Sequence, residues 1–343
     1  MKDPVFFWGT AYLGLAGNPE FKQLAFEGIE TYGLNYGASR NNAGTPDIYA
    51  LAEAEAAKRS CSGDAIIVSS GYLAAQLVAQ FYLNDYRFIY APDTHPALWI
   101  GKPEAPKISF TEWTEQVIAE VNNSERPVLL ITNSLNNLIP EIYDFDWLAG
   151  ILPGKQVALL VDDSHGMGIT GKSGEGVYSR IPRIPNIEII VIASMAKALG
   201  IDAGVILGNS GIISKLRNSP VYAGSSPPSP GILYAYVKAT EIYSSEFTKL
   251  KDNIKFFEGF IDGLTDLSYL SGFPVFLLQN PESHQYLESE GMIISSFAYP
   301  DPKGKILNRV VINSTHTKEE LKNLAAALDE IKGQGAKNKN SSE

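Results

Sequence analysis

The sequence of 343 residues is poor in cysteine, basic charge and long apolar runs. Its single cysteine, Cys61, excludes an internal disulfide and offers no thiolate cluster for a metal, so no metal is expected. Lys and Arg number 28 against 38 Asp and Glu, which argues against nucleic-acid binding because that function needs clustered basic residues. With no apolar run of about 18 residues and no signal-peptide pattern, we expect no membrane span and a cytoplasmic location.

Short apolar runs alternate with helical periodicity through the first two thirds of the chain. This alternation predicts βαβ units and a mostly parallel sheet. Runs such as AIIV and VALLV are apolar throughout, as in strands buried on both faces. The predicted strands are Ala65–Ser69, Phe88–Ala91, Val128–Thr132, Ala158–Val161, Ile189–Ala193 and Ala203–Leu207. Because ligands collect beyond the carboxyl ends of such strands, the polar residues that follow these runs are the candidates for function.

The Pro-rich segment Ser225–Gly231 ends this alternation. After it we expect a long helical stretch from Ile232 to Leu264 with a bend near Ser244, two short strands around Val275–Leu278 and Val310–Asn313, and a last helix at Lys318–Ile331. This pattern predicts a smaller α+β domain. The expected division is an N-terminal segment 1–30, a large domain 31–230, a small domain 231–333 and a disordered polar tail 334–343.

Two strand ends carry candidates for covalent and acid–base chemistry. The segment VALLVDDSHGMG places Asp162, Asp163 and His165 at the end of a strand, and side-chain alternation turns the two carboxylates to opposite sides. One of them could hold a pyridinium nitrogen, although strand-end carboxylates also cap turns. Lys197 follows Ser194 at the end of the next strand, where apolar neighbours favour a neutral amine that can form an imine.

Three other positions suit a flat, phosphorylated ligand and a carboxylate. In SSGYLAA, the backbone N–H groups of Gly71 and Tyr72 open a helix and could bind phosphate, unless the serine before them is an ordinary cap. His95 lies just past a strand and could stack on a ring. Arg309 on a late strand could bind a carboxylate through two hydrogen bonds or form a surface ion pair.

Together these segments resemble the fold type I pyridoxal 5′-phosphate (PLP) enzymes, and within them the α-oxoamine synthases, a group of the class II aminotransferases. The segments that carry the resemblance are YLGLAGNP, YGASRNNAGT, SSGYLAA, DTHPALWIG, VDDSHGMGITGKSGEG, SMAKALG and RVVINSTHT. The resemblance implies a large domain with a mostly parallel seven-stranded sheet and a smaller α+β C-terminal domain. It also implies a homodimer with shared active sites that condenses an amino acid with an acyl-CoA.

The resemblance assigns roles to residues of this sequence. It implies that Lys197 forms the Schiff base with PLP, Asp162 pairs with the pyridine nitrogen, His165 contacts the phenolic oxygen and His95 stacks on the ring. It gives Arg309 the amino-acid carboxylate. The residues implied to bind phosphate are Ser70, Gly71, Tyr72 and Ser194, with Ser225 or Ser226 reaching the site of the partner subunit.

The stretch TNSLNNLIPE stands where the family has a Ser-Met-Asp-Gly segment. It is loosely similar to an Asn-Pro-x-Asn-Pro stretch of class I aminotransferases. By that comparison Asn136, or alternatively Ser134, contacts the phenolic oxygen. A PLP-dependent aminotransferase is therefore the alternative function, and a non-catalytic protein that keeps this fold is a third.

Overall fold

The computed structural model describes residues 3–136, 138–299 and 303–340, with side chains up to Ile331. The strands are β1 (Val5–Phe7), β2 (Asp64–Val68), β3 (Arg87–Tyr90), β4 (Val128–Asn133), β5 (Leu135–Asn136), β6 (Glu141–Ile142), β7 (Val157–Asp162), β8 (Ile187–Ser194), β9 (Gly204–Gly208), β10 (Leu267–Tyr269), β11 (Val275–Leu278), β12 (Met292–Ala298) and β13 (Ile306–Val311). The α-helices are α1 (Pro19–Tyr32), α2 (Ile48–Ser60), α3 (Gly71–Tyr82), α4 (Phe110–Asn123), α5 (Ser210–Arg217), α6 (Pro220–Gly224), α7 (Pro230–Lys238), α8 (Thr240–Ile261), α9 (Ser283–Ser289) and α10 (Lys318–Asn340).

The chain divides into two compact units. The larger unit comprises Leu15–Leu135 and Ile142–Ile242. The smaller unit comprises the chain up to Gly14, the segment Asn136–Glu141 and the chain from Tyr243 onward. The N-terminal residues therefore cluster with the C-terminal part of the chain, and the division falls after Ile242 rather than after residue 230 as expected.

The larger unit is built on a six-stranded sheet in the order β2-β9-β8-β7-β4-β3. The four strands β3, β4, β7 and β8 pair in parallel, whereas β9 is antiparallel to both of its neighbours. Each of the six predicted strands is present, with its ends within two residues of the prediction. The described residues of this sheet thus give one strand fewer than the seven implied by the resemblance.

The outer edge of β2 is closed by charged side chains instead of another strand. Glu53 accepts the N–H of Ile67 at 2.9 Å, and Arg40 donates to the Ile67 carbonyl at 2.7 Å. Arg217 donates to the Ala65 carbonyl at 2.7 Å, and both guanidinium groups pair with Glu53, which is buried. These contacts satisfy edge groups that would otherwise lack partners, and they hold the strand that leads into the Ser-Ser-Gly turn.

The smaller unit contains a five-stranded sheet in the order β1-β12-β13-β11-β10, in which only β1 pairs in parallel. His316 secures β1 within this unit. Its ring stacks on Phe7 with centroids 4.4 Å apart, and its Nε2 lies 3.0 Å from the Phe6 carbonyl oxygen. Its Nδ1 accepts the N–H of Asn313, so the neutral ring carries its proton on Nε2 and donates to Phe6.

The helices differ from the sequence prediction in two places. The predicted long helix is two helices, α7 and α8, which are separated at Ala239 rather than bent near Ser244. Helix α10 continues to Asn340, through most of the tail that we expected to be disordered. No helix in the described ranges is long and apolar enough to cross a lipid bilayer.

Candidate functional site

Three neighbouring parallel strands end in polar residues at one edge of the larger unit's sheet. Strand β4 ends at Asn133, β7 at Asp162 and β8 at Ser194. Asn133 stands opposite Asp162 in the β4–β7 register. Because the carboxyl ends of parallel strands share an edge, this register brings together residues that lie far apart in the sequence.

Lys197 lies in the turn after β8 and is half-buried. Burial lowers the pKa of its ammonium group, while the nearby Asp162 carboxylate opposes that change. The turn is held by the Met195 N–H, which donates to the Ala203 carbonyl at 2.8 Å, and by the Ile201 N–H, which donates back to Met195. A lysine with a lowered pKa releases its proton more readily and becomes a nucleophile.

His95 belongs to the same electrostatic cluster. Burial lowers the pKa of its ring, Asp162 raises it and Lys197 lowers it further. Its Nδ1 accepts the Ala97 N–H at 3.1 Å, which leaves the proton of the neutral ring on Nε2. The structure therefore brings Lys197, Asp162 and His95 together, as the sequence analysis predicted.

Asn133 was missed by the sequence analysis. Its Oδ1 accepts the His95 N–H at 3.2 Å, and its Nδ2 donates to the Asp93 carbonyl at 2.7 Å. Asp93 has φ 53°, a left-handed conformation that non-glycine residues rarely adopt. Asn133 thus holds the strained turn that presents His95. The available signal was its place at a strand end, directly after VLLIT.

The Ser-Gly turn packs directly against the end of β8. Ser70 caps α3, since its hydroxyl accepts the Leu73 N–H at 3.1 Å. A Cβ on Gly71 would lie 2.7 Å from Ser194 Cβ and 2.8 Å from its Cα, so only glycine fits there. The N–H groups of Gly71 and Tyr72 open this helix, where an anion is favoured, and the Tyr72 side chain is exposed.

Asp163 points away from this cluster, as strand alternation predicted for one of the two carboxylates. It is completely buried, and its Oδ2 accepts the Val177 N–H at 2.8 Å. A Cβ on Gly166 or Gly176 would lie 2.0 or 2.2 Å from a carboxylate oxygen. The glycines of the motif therefore let the loop wrap around this carboxyl, and burial raises its pKa to about 7.

Ser134 and Asn136, the two candidates for the phenolic oxygen, differ in their hydrogen bonds. The Ser134 hydroxyl is buried and satisfied by no hydrogen bond from a described residue, although it lies close enough to Asp163 to lower the pKa of that carboxyl. The Asn136 Oδ1 accepts the N–H groups of Leu138 and Ile139. The Ser134 hydroxyl thus lies on the side of Asp163, which points away from the cluster, and contact of either residue with the phenolic oxygen stays a prediction.

The remaining predicted residues are placed as follows. Ser225 donates its hydroxyl to the Tyr222 carbonyl at 3.0 Å, Ser226 is exposed, and His165 is half-buried after β7. Their proposed contacts with phosphate and with the phenolic oxygen stay predictions.

Arg309 lies on β13 of the smaller unit. Its side chain is only 4% exposed, its Nε has no hydrogen-bond partner among the described residues, and burial lowers its pKa while Tyr12 raises it. The surface ion pair considered from the sequence is absent from the described part of the chain. A buried guanidinium without a carboxylate is suited to bind one from a ligand.

Comparison with known proteins adds sequence relatives and structural neighbours. No model of a known protein family matches the chain. An 8-amino-7-oxononanoate synthase from Petrotoga mobilis is 29% identical over 332 residues, which is 90% of this chain and 84% of that protein. Another with the same name, from Thermosipho melanesiensis, is 28% identical over 331 residues, 90% of this chain and 83% of that protein.

Two solved structures share the fold. The crystal structure of 8-amino-7-oxononanoate synthase from Francisella tularensis superposes with a TM-score of 0.74 at 22% identity, over 97% of this chain and 99% of that one. A serine palmitoyltransferase variant from S. paucimobilis, solved with PLP and myriocin bound, superposes with a TM-score of 0.78 at 17% identity. The superposition covers 95% of this chain and 86% of that one. These likenesses confirm the predicted α/β fold class, whereas the described strands of the larger unit's sheet number six instead of seven. In sequence, the chain is similar to proteins named 8-amino-7-oxononanoate synthase.

Proposed function

We propose that this protein is a PLP-dependent transferase of the α-oxoamine synthase type, similar to 8-amino-7-oxononanoate synthase. It would join the Cα of an amino acid to the acyl group of an acyl-CoA, with release of CoA and carbon dioxide. The observation that carries this proposal is the cluster of Lys197, Asp162 and His95 at the carboxyl edge of the sheet. The sequence relatives favour condensation over transamination.

The residues at this edge fit PLP in two independent respects. A half-buried lysine with a lowered pKa suits the aldehyde group. The turn at Gly71, which has no space for a side chain beside Ser194, suits a phosphate bound by backbone N–H groups. When bound, PLP supplies an electron sink for the pair released as a Cα bond breaks.

The chain's own residues would bind, orient and move protons around that group. Lys197 would provide the covalent attachment, and because burial favours its neutral form, its amine would also be suited to take the proton from the substrate Cα. Asp162 would hold the pyridine nitrogen through a charge-assisted hydrogen bond. Its orientation is fixed by the Ser164 N–H, which donates to its Oδ1 at 2.9 Å. Neutral His95 would lie against the ring, and Arg309 would bind the amino-acid carboxylate.

The cellular location and the assembly state complete the proposal. The working form would be a cytoplasmic homodimer with shared active sites, in which Ser225 or Ser226 reaches the phosphate held by the partner subunit. A twofold-symmetric dimer is the commonest arrangement for soluble enzymes with self-complementary interfaces.

The test is thiol release from acyl-CoA by protein purified with PLP, using a panel of amino acids and acyl chain lengths. We expect free thiol only when both substrates are present, and none from a Lys197→Ala variant that keeps the wild-type melting temperature. Absence of thiol with every pair would contradict the condensing function. Formation of a keto acid from an amino acid alone would instead identify an aminotransferase.

A further inference from the structure

Ser164 connects two strands at the edge of the site by hydrogen bonds to both. It lies in the turn after β7 and is buried. Its hydroxyl oxygen accepts the N–H of Ser194, at the end of β8, at 2.8 Å. Its own N–H donates to Asp162 Oδ1 at 2.9 Å. One residue therefore touches both the carboxylate and the strand end from which Lys197 follows.

The hydroxyl of Ser164 takes the place of a backbone carbonyl. The β7–β8 pairing is parallel, and the Asp163 N–H still donates to the Ile192 carbonyl at 2.8 Å. Two residues further along β8, the Ser194 N–H donates to the Ser164 side chain instead of a backbone carbonyl. The reason is that β7 has ended at Asp162, where the chain turns away. A buried N–H needs a partner, and Ser164 supplies it where the ladder has stopped.

Ser194 is also the residue on which the Ser-Gly turn rests. A Cβ on Gly71 would approach its Cα to 2.8 Å and its N to 3.0 Å, so a small displacement of Ser194 moves the turn or opens a gap beside it. The position of Ser194 consequently controls the spacing between this turn, Lys197 and Asp162.

We propose that Ser164 is a positioning residue that sets this spacing. This inference rests on the proposed function, since the groups being spaced are those assigned to the phosphate, the aldehyde and the ring nitrogen of PLP. Removing the hydroxyl leaves the partly buried Ser194 N–H without this partner. The hydrogen bond from the Ser164 N–H to Asp162 is kept in the variant and serves as an internal reference.

The test uses Ser164→Ala with two companion variants. Ser164→Thr keeps a hydroxyl, and Ser60→Ala removes a buried serine hydroxyl far along the chain, one that donates to the Ala56 carbonyl at 2.8 Å. The first readout is hydrogen exchange of the Ser194 amide in protein freed of PLP. The second is the affinity for PLP, titrated by the visible absorption of the bound cofactor.

In Ser164→Ala we expect exchange at Ser194 to be about tenfold faster and PLP to bind about tenfold more weakly, with a shifted absorption maximum. Ser164→Thr should restore both values, and Ser60→Ala should leave both unchanged. Unchanged exchange and affinity in Ser164→Ala, or equal effects in Ser60→Ala, would overturn this inference alone. Wild-type protein that takes up no PLP would overturn the proposed function and this inference with it.

Discussion

Asp163 predicts a specific pH dependence of folding stability. The carboxyl is completely buried, one oxygen accepts the Val177 N–H, and the other has no hydrogen bond from the described residues. Burial therefore raises its pKa from 3.8 to about 7. At about 1.4 kcal/mol per pKa unit, that difference corresponds to roughly 4 kcal/mol between the two protonation states.

Whether stability rises or falls with pH depends on which state, folded or unfolded, binds the Asp163 proton more tightly. The folded protein keeps the Asp163 carboxyl protonated up to about pH 7, whereas the unfolded chain releases the proton near 3.8. Stability is therefore lost as the pH rises between these values, and the loss is complete above about pH 7. An Asp163→Asn variant cannot ionise, and its amide oxygen can still accept the Val177 N–H.

The assay is urea unfolding of wild type and Asp163→Asn at several values between pH 4 and pH 8. We expect the variant to gain stability relative to wild type as the pH rises, by about 4 kcal/mol in total, and the difference to level off above pH 7. Glu112→Gln is the control of opposite sign, because hydrogen bonds from Ser109 lower the Glu112 pKa and its contribution is lost only at acid pH. A flat difference between wild type and Asp163→Asn from pH 5 to pH 7 would refute the reasoning.

Three other perturbations test the fold and the site. Glu53→Gln should lose about 3 kcal/mol in urea unfolding, because Arg40 is then buried without its counter-charge, and a loss below about 1 kcal/mol would contradict this. Gly71→Ala should lower both the melting temperature and the affinity for PLP, because the added Cβ would clash with Ser194. Wild-type values in both assays would show that the turn can accommodate a side chain at this position. Burial lowers the His316 pKa, so the folding stability should fall as the pH drops below 6.5. In melting curves recorded at several pH values, His316→Gln should reduce this dependence of the melting temperature on pH. An unchanged dependence would mean that other groups cause it.

Much of the larger unit was predictable because its signals are local. A buried parallel strand reads as an apolar run, and a helix start reads as Ser-Gly before apolar periodicity, so both were located within a few residues. Alternation along β7 was enough to predict opposite directions for Asp162 and Asp163. The motifs carried the resemblance to PLP enzymes, and the structure brings three of their residues, Lys197, Asp162 and His95, close together.

Other features depend on contacts between distant parts of the chain. The parallel pairing of β1 with β12 joins Val5 to Met292, and no local pattern of three residues predicts such a partner. The separation of α7 from α8 at Ala239 was likewise not marked by a proline or glycine.

Contacts between distant parts of the chain also shape the site, and local sequence patterns did not predict them. Sequence motifs by themselves were enough to predict which residues would carry the chemistry, because reactive groups follow directly from residue type and strand position. Only the tertiary structure decided that Asn133 holds the turn of His95 and that Ser164 satisfies Ser194, which lies 30 positions away. These hydrogen bonds exist only once the register of neighbouring strands is set, and register is a property of the packed sheet rather than of any one segment.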